Sequence, residues 1–399
     1  MYIYIFIVLL IFISNFIPII VKPEYPVDVN SIKYKKLKQK RLKSPEFPNP
    51  YPNSWYYVCD SNSIKKNCLK EFHILDLHLV VFRDNDENIG IIDLYCPHLG
   101  TNLAEGGKII NNCIQCPYHK WSFNKNGICK DIPYTKKDIP ERANTKKYYS
   151  YEKNNMIFIW YNSDNEIPYI DDKLINIELF KHLDDKHKFI MSKNYEDFHM
   201  HIMEPSQNSA DWYHFKTVHD YLPNPFFKYF LKIDHNIYPL YTDNSSIINI
   251  TNKKKYISND IIIIKEEIIS SKIFNLIPVP NFINKLFTVH VIIETPSLIL
   301  FSIDNSFGQF RAIMTLTPTE PFIQKIHLTS YGSGIFIILG RIMTYFVMKT
   351  VEQDRRVWEN KMHISPRNIV SGDGPFASYK NWLDKFYTDN SKKNIDLNW

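Results

Sequence analysis

Two cysteine–histidine pairs constrain this chain of 399 residues more than any other feature. Cys96 and His98 form the first pair, Cys116 and His119 form the second, and residues 99–115 lie between them. A thiol and an imidazole this close in sequence can point at one site only if the backbone turns sharply. A proline follows each cysteine and stiffens the turn by fixing φ. The pattern therefore predicts two short loops that share a metal site.

The donor set indicates which metal the loops bind. Two thiolates on one iron and two imidazoles on the other are the ligands of a Rieske [2Fe–2S] cluster. The alternative is a zinc site, because Cys113 and Cys116 form a C-x-x-C with two histidines nearby. Zinc sites rarely place C-x-H in the first loop, so we interpret Cys113 as a small buried residue. The predicted cluster ligands are Cys96, His98, Cys116 and His119.

The sequence around these pairs resembles a known family. Residues 53–167 resemble the Rieske domain of ring-hydroxylating and steroid-modifying oxygenases. The similar segments are SWYYV (54–58), VVFRDNDENIGIIDLYCPHLG (80–100), NLAEGG (102–107), CIQCPYHKWSF (113–123) and NGICKDIP (126–133). Respiratory Rieske proteins usually carry two further cysteines in the cluster loops, where this chain has Thr101 and Tyr118. The resemblance thus implies an oxygenase rather than part of a cytochrome complex.

Oxygenases of this kind also hold a mononuclear non-haem iron, bound by two histidines and one carboxylate. Residues 208–219, NSADWYHFKTVH, resemble the family pattern N-x-x-D-x-x-H-F-x-x-V-H and imply that His214 and His219 are ligands. Positions five residues apart differ by about 140° round an ideal helix. Both histidines can reach one iron only if the helix bulges or ends between them.

The third ligand comes from a late segment. Residues 352–361, EQDRRVWENK, are similar to the family pattern D-x-x-I/V-W-x-x-K and imply that Asp354 completes the site. Glu352 and Glu359 are the alternatives. A solvated acid on a charged helix is the other interpretation of Asp354, since exposed aspartate is common.

The resemblance gives Asp211 a separate catalytic role. It implies that this acid accepts hydrogen bonds from His214 and from His119 of the neighbouring subunit, and so bridges the two metal centres. Within one chain the two centres of such enzymes are far apart. The implied assembly is a homotrimer, because head-to-tail contacts close naturally into rings.

The N-terminal residues MYIYIFIVLLIFISNFIPIIV (1–21) carry no charge and are about long enough to cross a bilayer core of ~30 Å. A secretory signal peptide is the alternative, but no basic start or small-residue cleavage site is present. We therefore expect residues 1–22 to anchor a single-pass membrane protein in the endoplasmic reticulum. The basic flank places the body in the cytosol, which suits six reduced cysteines.

That flank, from Lys33 to Lys43, has three interpretations: a solvated topogenic segment, a contact with anionic lipid or an acidic electron donor, or a nucleic-acid site. Nucleic acid is disfavoured, because Tyr34 is the only interleaved aromatic and the net charge of +6 is modest. A second apolar stretch, 335–348, carries Arg341 and is short for a membrane span. We expect it to form a core helix or a helix on the membrane surface.

The predicted fold class is α+β. An all-β Rieske domain (53–167) follows a basic linker (23–52), and a catalytic domain occupies residues 168–399. In that domain we expect an antiparallel sheet with a long helix across it, which resembles a helix-grip fold. The expected helices lie near 205–220 and 334–361, and the expected strands lie at 246–251, 260–269, 287–294 and 311–318.

Missing motifs also inform the functional prediction. No G-x-G-x-x-G follows a strand and no plant-type ferredoxin cysteine set is present, so electrons must come from a separate NAD(P)H-dependent reductase or small electron carrier.

Taken together, the motifs resemble the cholesterol 7-desaturase (Neverland) family. The resemblance implies a sterol substrate, O2, and conversion of cholesterol to 7-dehydrocholesterol in steroid hormone biosynthesis. The alternatives are a hydroxylase or de-alkylating oxygenase of another sterol or lipid, and a carrier that uses only the Rieske domain.

Overall fold

A computed structural model describes residues 27–44, 47–170, 173–174, 177–222, 230–239, 261–364 and 368–391. The chain divides into two compact units. The first unit comprises residues 51–176 and 317–321. The second unit comprises residues 1–50, 177–316 and 322–399, of which we discuss the described ones.

The first unit consists mainly of short strands. They are β1 (Ser54–Asp60), β2 (Leu69–Ile74), β3 (Leu77–Arg83), β4 (Ile89–Asp93), β5 (Lys108–Ile110), β6 (Cys113–Gln115), β7 (Ser122–Asn124), β8 (Cys129–Asp131), β9 (Ser150–Lys153), β10 (Met156–Tyr161), β11 (Tyr169–Ile170) and β12 (Lys173–Leu174). Their antiparallel sheets have the orders β1-β10-β9, β2-β3-β4, β5-β6-β7-β8 and β11-β12. This is the all-β architecture that the sequence predicted for the Rieske part.

The core of the first unit extends to the two predicted cysteine ligands. Leu79, Val80, Val81 and Phe82 are all fully buried in β3, and Val80 and Phe82 lie on the same face of the strand. These last two belong to the same buried cluster as Ile114, Cys96 and Cys116. The two loops are therefore fixed to a packed core rather than held only by their own turns.

The second unit combines a large sheet with helices. Its strands are β13 (Lys188–Phe198), β14 (Tyr221–Leu222), β15 (Leu231–Pro239), β16 (Ile262–Ile273), β17 (Ile277–Pro278), β18 (Val289–Thr295), β19 (Leu298–Asn305), β20 (Gly308–Glu320) and β21 (Ile323–Gly332). Its helices are α1 (Ile32–Leu42), α2 (Met203–Gln207), α3 (His214–Thr217), α4 (Asn281–Lys285), α5 (Phe336–Trp358) and α6 (Phe376–Asp384). The sheet order is β13-β21-β20-β19-β18-β16-β15-β14, and β17 pairs with β16.

Helix α5 is the long helix that the sequence predicted, and it packs on β21 and β13. Phe336, Gly340, Thr344 and Met348 are buried at intervals of four residues, which forms one stripe along the helix. A Cβ atom at Gly340 would lie 2.0 Å from the end of the Ile190 side chain, so a larger residue here would require that side chain to move. The apolar stretch 335–348 thus supplies a core-facing helix.

The other predicted helices and strands agree only in part with those of the structure. The helix expected near 205–220 is broken into α2, a 3-10 turn at Asn208–Ala210 and α3. The runs at 260–269, 287–294 and 311–318 lie in or overlap strands β16, β18 and β20. The run 246–251 lies outside the described residues.

The predicted single-pass membrane location requires correction. The expected anchor, residues 1–22, lies outside the described residues. Within the described part of the chain, no helix is both long enough and apolar enough to span a bilayer. The longest of these helices, α5, is interrupted by charged residues such as Arg341 and Lys349. This finding contradicts the predicted location.

Part of the basic flank is built into the second unit. The Arg41 side chain is 3% exposed, and its guanidinium donates to the carbonyl oxygens of His199 (2.9 Å), Trp358 (2.8 Å) and Lys361 (2.6 Å). Trp358 is the last residue of α5, so Arg41 satisfies carbonyl groups that a helix end leaves without partners. Arg41 therefore has a structural role that the flank interpretations did not include.

Candidate metal centres and active site

The two cysteine–histidine loops have the same backbone geometry. Each cysteine N–H donates to the carbonyl oxygen five residues later, at 2.9 Å for Cys96 and 2.8 Å for Cys116. Each cysteine carbonyl accepts from the N–H four residues later, where the backbone is left-handed (φ +73° at Gly100 and +65° at Lys120). Both loops thus turn back tightly, although the histidine lies two residues after the cysteine in one and three in the other.

The cysteines form the buried side of this site. Cys96 and Cys116 are each 2% exposed. Burial, and to a smaller extent the adjacent Cys116 thiol, raises the pKa of Cys96 to about 12. Thiolates in such a place require a compensating positive charge, which bound ferric ions supply.

The histidines form the outer side of the site. The ring centroids of His98 and His119 are 4.7 Å apart, and the His98 ring stacks on Trp121 at 4.6 Å, which fixes its orientation. His98 Nδ1 is buried and has no hydrogen-bond partner within the described residues. An unpaired buried ring nitrogen, in the same two loops as two buried thiols, fits the thiolate-and-imidazole donor set of a [2Fe–2S] cluster.

The second unit brings together His214, His219 and Asp354. One donor atom from each side chain lies within 4.8 Å of the other two. His219 Nε2 is 3.3 Å from Asp354 Oδ2, and the two imidazole centroids are 5.3 Å apart. Two histidines and one carboxylate on one side of an ion match the donor set of non-haem iron(II) sites.

Two outer hydrogen bonds orient the imidazoles. His214 Nδ1 bonds to the carbonyl oxygen of Asp211, and His219 Nδ1 donates to Gln353 Oε1 at 3.0 Å. Gln353 is held in turn, because its Nε2 donates to the Tyr221 carbonyl oxygen at 2.6 Å. With Nδ1 engaged in both rings, Nε2 of each is available for an ion.

The broken helix explains how the histidines meet. Helix α3 ends at Thr217, so His219 lies beyond its C-terminus and is not bound to helical spacing. The segment before α3 is held from outside, since a Cβ atom at Gly374 would lie 1.8 Å from the Ala210 carbonyl oxygen. Of the two alternatives given by the sequence, a bulge or a helix end between the histidines, the structure has the helix end.

Asp211 differs in detail from the expectation. The His214 imidazole bonds to the backbone carbonyl of Asp211, and its Nδ1 is 4.0 Å from the carboxylate Oδ1. That carboxylate oxygen instead accepts the backbone N–H of His214 at 3.3 Å. The Asp211 side chain is 45% exposed.

The two alternative acids, Glu352 and Glu359, have other partners. Glu352 Oε1 is 3.3 Å from Arg355 Nη1, and Glu359 Oε1 is 2.9 Å from Arg355 Nε. Glu359 Oε1 also accepts the backbone N–H of His199 at 3.0 Å. Both carboxylates therefore pair with one buried arginine, and Asp354 is the acid that faces the histidines.

A buried ion pair supports the site, and sequence reasoning missed it. His235 Nε2 donates to the His219 carbonyl oxygen at 2.9 Å, and its Nδ1 is 2.6 Å from Glu266 Oε1. Although burial acts in the opposite direction, the partner's charge and hydrogen bonding raise the pKa of His235 and lower that of Glu266. The available sequence signal was a polar interruption, KEE, in the apolar run that forms β16.

The histidines of the metal site differ in protonation. Burial would lower the pKa of His219, but the Asp354 carboxylate raises it to about 9. Burial lowers the pKa of His214, which Asp354 only partly offsets. Without a metal ion, His219 is therefore the imidazole of the two that holds a second proton more readily.

A cavity of about 280 Å³ opens onto the three metal-site residues. Its walls come from β15, β16, β18, β19, β20 and α5, and alternate residues of β18 and β19 face it. Most of the lining is aliphatic or aromatic, for example Ile233, Val291, Phe301, Met314, Phe346 and Trp358. Such a cavity suits an apolar substrate.

Comparisons with known proteins agree with this architecture. Residues 54–150 match the model of the Rieske [2Fe–2S] domain. The chain is 28% identical to "Cholesterol 7-desaturase nvd 1" of Ciona intestinalis, over 90% of this chain and 73% of that protein. It is also 28% identical to "Cholesterol 7-desaturase nvd" of Drosophila melanogaster, over 87% of this chain and 77% of the relative.

Solved structures share the fold. Dicamba monooxygenase bound to dicamba superposes with a TM-score of 0.59 at 16% identity, covering 84% of this chain and 97% of that one. Another structure of that enzyme is described as containing non-heme iron, which is the second cofactor predicted from the sequence. The chain is therefore an oxidoreductase of the Rieske oxygenase type, and its expected resemblance to the cholesterol 7-desaturases is confirmed over most of its length.

Proposed function

We propose that this chain is a sterol desaturase that introduces the 7,8 double bond into cholesterol to give 7-dehydrocholesterol. The observation that carries the proposal is the apolar cavity that opens onto His214, His219 and Asp354. The similarity to two named cholesterol 7-desaturases supports this reaction over others of the class. The remaining substrates are O2 and two electrons from a separate NAD(P)H-dependent reductase or small electron carrier.

The residues divide into two sets of ligands. In this proposal Cys96, His98, Cys116 and His119 hold the [2Fe–2S] cluster, and His214, His219 and Asp354 hold the mononuclear iron. When bound, these groups supply single-electron transfer and O2 activation. The sterol loses two hydrogens, and with two electrons and two protons they reduce O2 to two molecules of water.

The protein contributes orientation and the exclusion of water. Gln353 accepts a hydrogen bond from the His219 ring, and His235 donates a hydrogen bond to the His219 backbone carbonyl. The aliphatic walls pack against the sterol rings and keep water away from the reacting carbons. The cavity lies against Asp354 and the two imidazoles, so an ion held by these three side chains would be accessible to O2 and substrate from the cavity.

The exposure of the outer, histidine side of the cluster site supports the proposal that electrons leave through the histidines. The cysteines are buried, whereas the adjacent Leu99 and Tyr118 side chains are 65% and 63% exposed. The exposed carboxylate of Asp211 is available to a partner in the same way. We therefore include in the proposal a homotrimer in which Asp211 accepts a hydrogen bond from His119 of the neighbouring subunit.

The proposal is tested by incubating the purified, iron-loaded protein with cholesterol, O2 and a reducing system, followed by mass spectrometry of the sterols. Desaturation predicts a product lighter by two hydrogens. A product heavier by one oxygen atom would instead assign a hydroxylase. A protein with both metals that turns over no sterol would contradict the proposed substrate class.

A further inference from the structure

The substrate cavity contains a polar pair that the metal sites do not use. Asn284 on α4 is 3% exposed and Ser271 on β16 is 5% exposed, and both line the cavity. Ser271 Oγ donates to Asn284 Oδ1 at 2.6 Å. The Asn284 Nδ2 group is buried and has no hydrogen-bond partner within the described residues. Because buried donors are nearly always paired, this amide lacks an acceptor that a ligand can provide.

A β-bulge directs Ser271 into the cavity. Ile264, Glu266 and Ile268 line the cavity at intervals of two residues along β16, and this alternation would next place residue 270 there. The pairing with β15 shifts register between Asp234 and His235, which leaves one extra residue in β16. Bulges of this kind re-aim side chains near functional sites. Ser271, rather than residue 270, therefore faces the cavity and meets Asn284.

We propose that Asn284 and Ser271 bind the hydroxyl group of the sterol, an inference that rests on the proposed function. Asn284 Nδ2 donates to the hydroxyl oxygen, and the hydroxyl hydrogen is donated to a lone pair of Ser271 Oγ. This arrangement satisfies both the donor and the acceptor capacity of an alcohol. A ketone could accept from Asn284 but could not donate to Ser271, and a hydrocarbon could do neither.

The position of the pair selects which part of the sterol meets the iron. Ser271 lies opposite Ile233, and His235 is two residues further along β15, a distance of roughly 7 Å. His235 contacts the backbone of the metal-site residue His219. The 3-hydroxyl and C7 of a sterol belong to adjacent fused rings. A hydroxyl held at Ser271 therefore places ring B, rather than the aliphatic tail, beside the metal site.

Measurements of sterol binding test this inference independently of turnover. Dehydroergosterol, a fluorescent 3-hydroxysterol, is titrated into the full-length iron-loaded protein and detected by energy transfer from tryptophan, since Trp358 lines the cavity. Cholesterol and cholest-5-ene, which lacks the hydroxyl, then compete with it. The variants are Asn284→Leu and Ser271→Ala. The control is Ser302→Ala, a buried serine on β19 that bonds to Asp304 and does not line the cavity.

We expect Asn284→Leu to weaken cholesterol binding by roughly 10- to 100-fold and to leave cholest-5-ene almost unaffected. Ser271→Ala should give a smaller loss, also confined to cholesterol, and Ser302→Ala should match the parent protein. Equal loss of both sterols in Asn284→Leu, or no loss of either, would overturn the inference. If thermal unfolding shows that Asn284→Leu is not folded, the same comparison of the two sterols in Ser271→Ala decides whether the inference holds. A parent protein that binds neither sterol would overturn the proposed function itself, and this inference with it.

Discussion

Replacing Gln353 by leucine should weaken binding of the mononuclear iron and leave the [2Fe–2S] cluster intact. The Gln353 side chain links two parts of the second unit, because it accepts from His219 Nδ1 at 3.0 Å and donates to the Tyr221 carbonyl oxygen at 2.6 Å. Leucine keeps most of the volume and removes both hydrogen bonds. His219 would then lose the acceptor that holds its ring and its tautomer.

The size of the effect follows from the burial of His219, which is 4% exposed. Leaving one buried donor without a partner costs about 1–3 kcal/mol. Since a tenfold change in affinity corresponds to about 1.4 kcal/mol, this predicts a loss of roughly 10- to 100-fold. Loss of an outer-shell partner of a metal-bound histidine typically lowers metal affinity by about the same 10–100-fold. Gln353→Glu, which retains an acceptor, should lose much less.

The assay titrates Co²⁺, a coloured substitute for Fe²⁺, into protein whose mononuclear site has been emptied by a mild chelator. Cluster content is followed separately by its visible absorption. The matched control is Gln324→Leu, a fully buried glutamine on β21 that donates to the Met200 carbonyl oxygen at 3.3 Å. If Gln353→Leu and Gln324→Leu bound Co²⁺ equally well, the reasoning from the outer hydrogen bond would be refuted.

Three further predictions address the two metal centres. His119→Ala should abolish the Rieske visible spectrum, whereas His214→Ala should retain that spectrum and lose turnover; loss of the spectrum in both would contradict separate sites. Asp211→Asn should keep both metals and slow single-turnover electron transfer at least tenfold, and a normal rate would exclude the proposed bridge. In protein lacking the mononuclear iron, His219 has a raised pKa of about 9, so its pairing with Asp354 stabilises the fold below about pH 6.5 and this contribution is lost as the pH rises through 9. Urea unfolding across this range should show the decline, and Asp354→Asn should flatten it.

Local sequence was sufficient for the chemistry of the cluster loops. Few other types of metal site use two cysteines and two histidines at this short spacing, and the prolines and Gly100 belong to the same loops. The broad architecture also followed from the sequence. Runs rich in β-branched residues predicted strands at the positions of β16, β18 and β20, and the apolar stretch before Asp354 predicted the long helix α5.

Other features depended on contacts between distant segments. Gln353 stands next to Asp354 in the sequence, but only the fold brings it to His219, 134 residues away. Arg41 looked like part of a solvated basic flank, yet its guanidinium is buried against the C-terminal end of α5.

The sequence alone thus determined which residue types could bind metal, because ligand chemistry and loop spacing are local properties. Tertiary structure decided which acid faces the histidines, since Glu352, Asp354 and the C-cap residue Glu359 lie close together at the end of one helix and the two glutamates pair with Arg355. It also decided that Ser271 faces the substrate cavity. That outcome depends on one extra residue in the pairing of β15 with β16, because a bulge changes which residues face the cavity and exists only in the pairing of two strands.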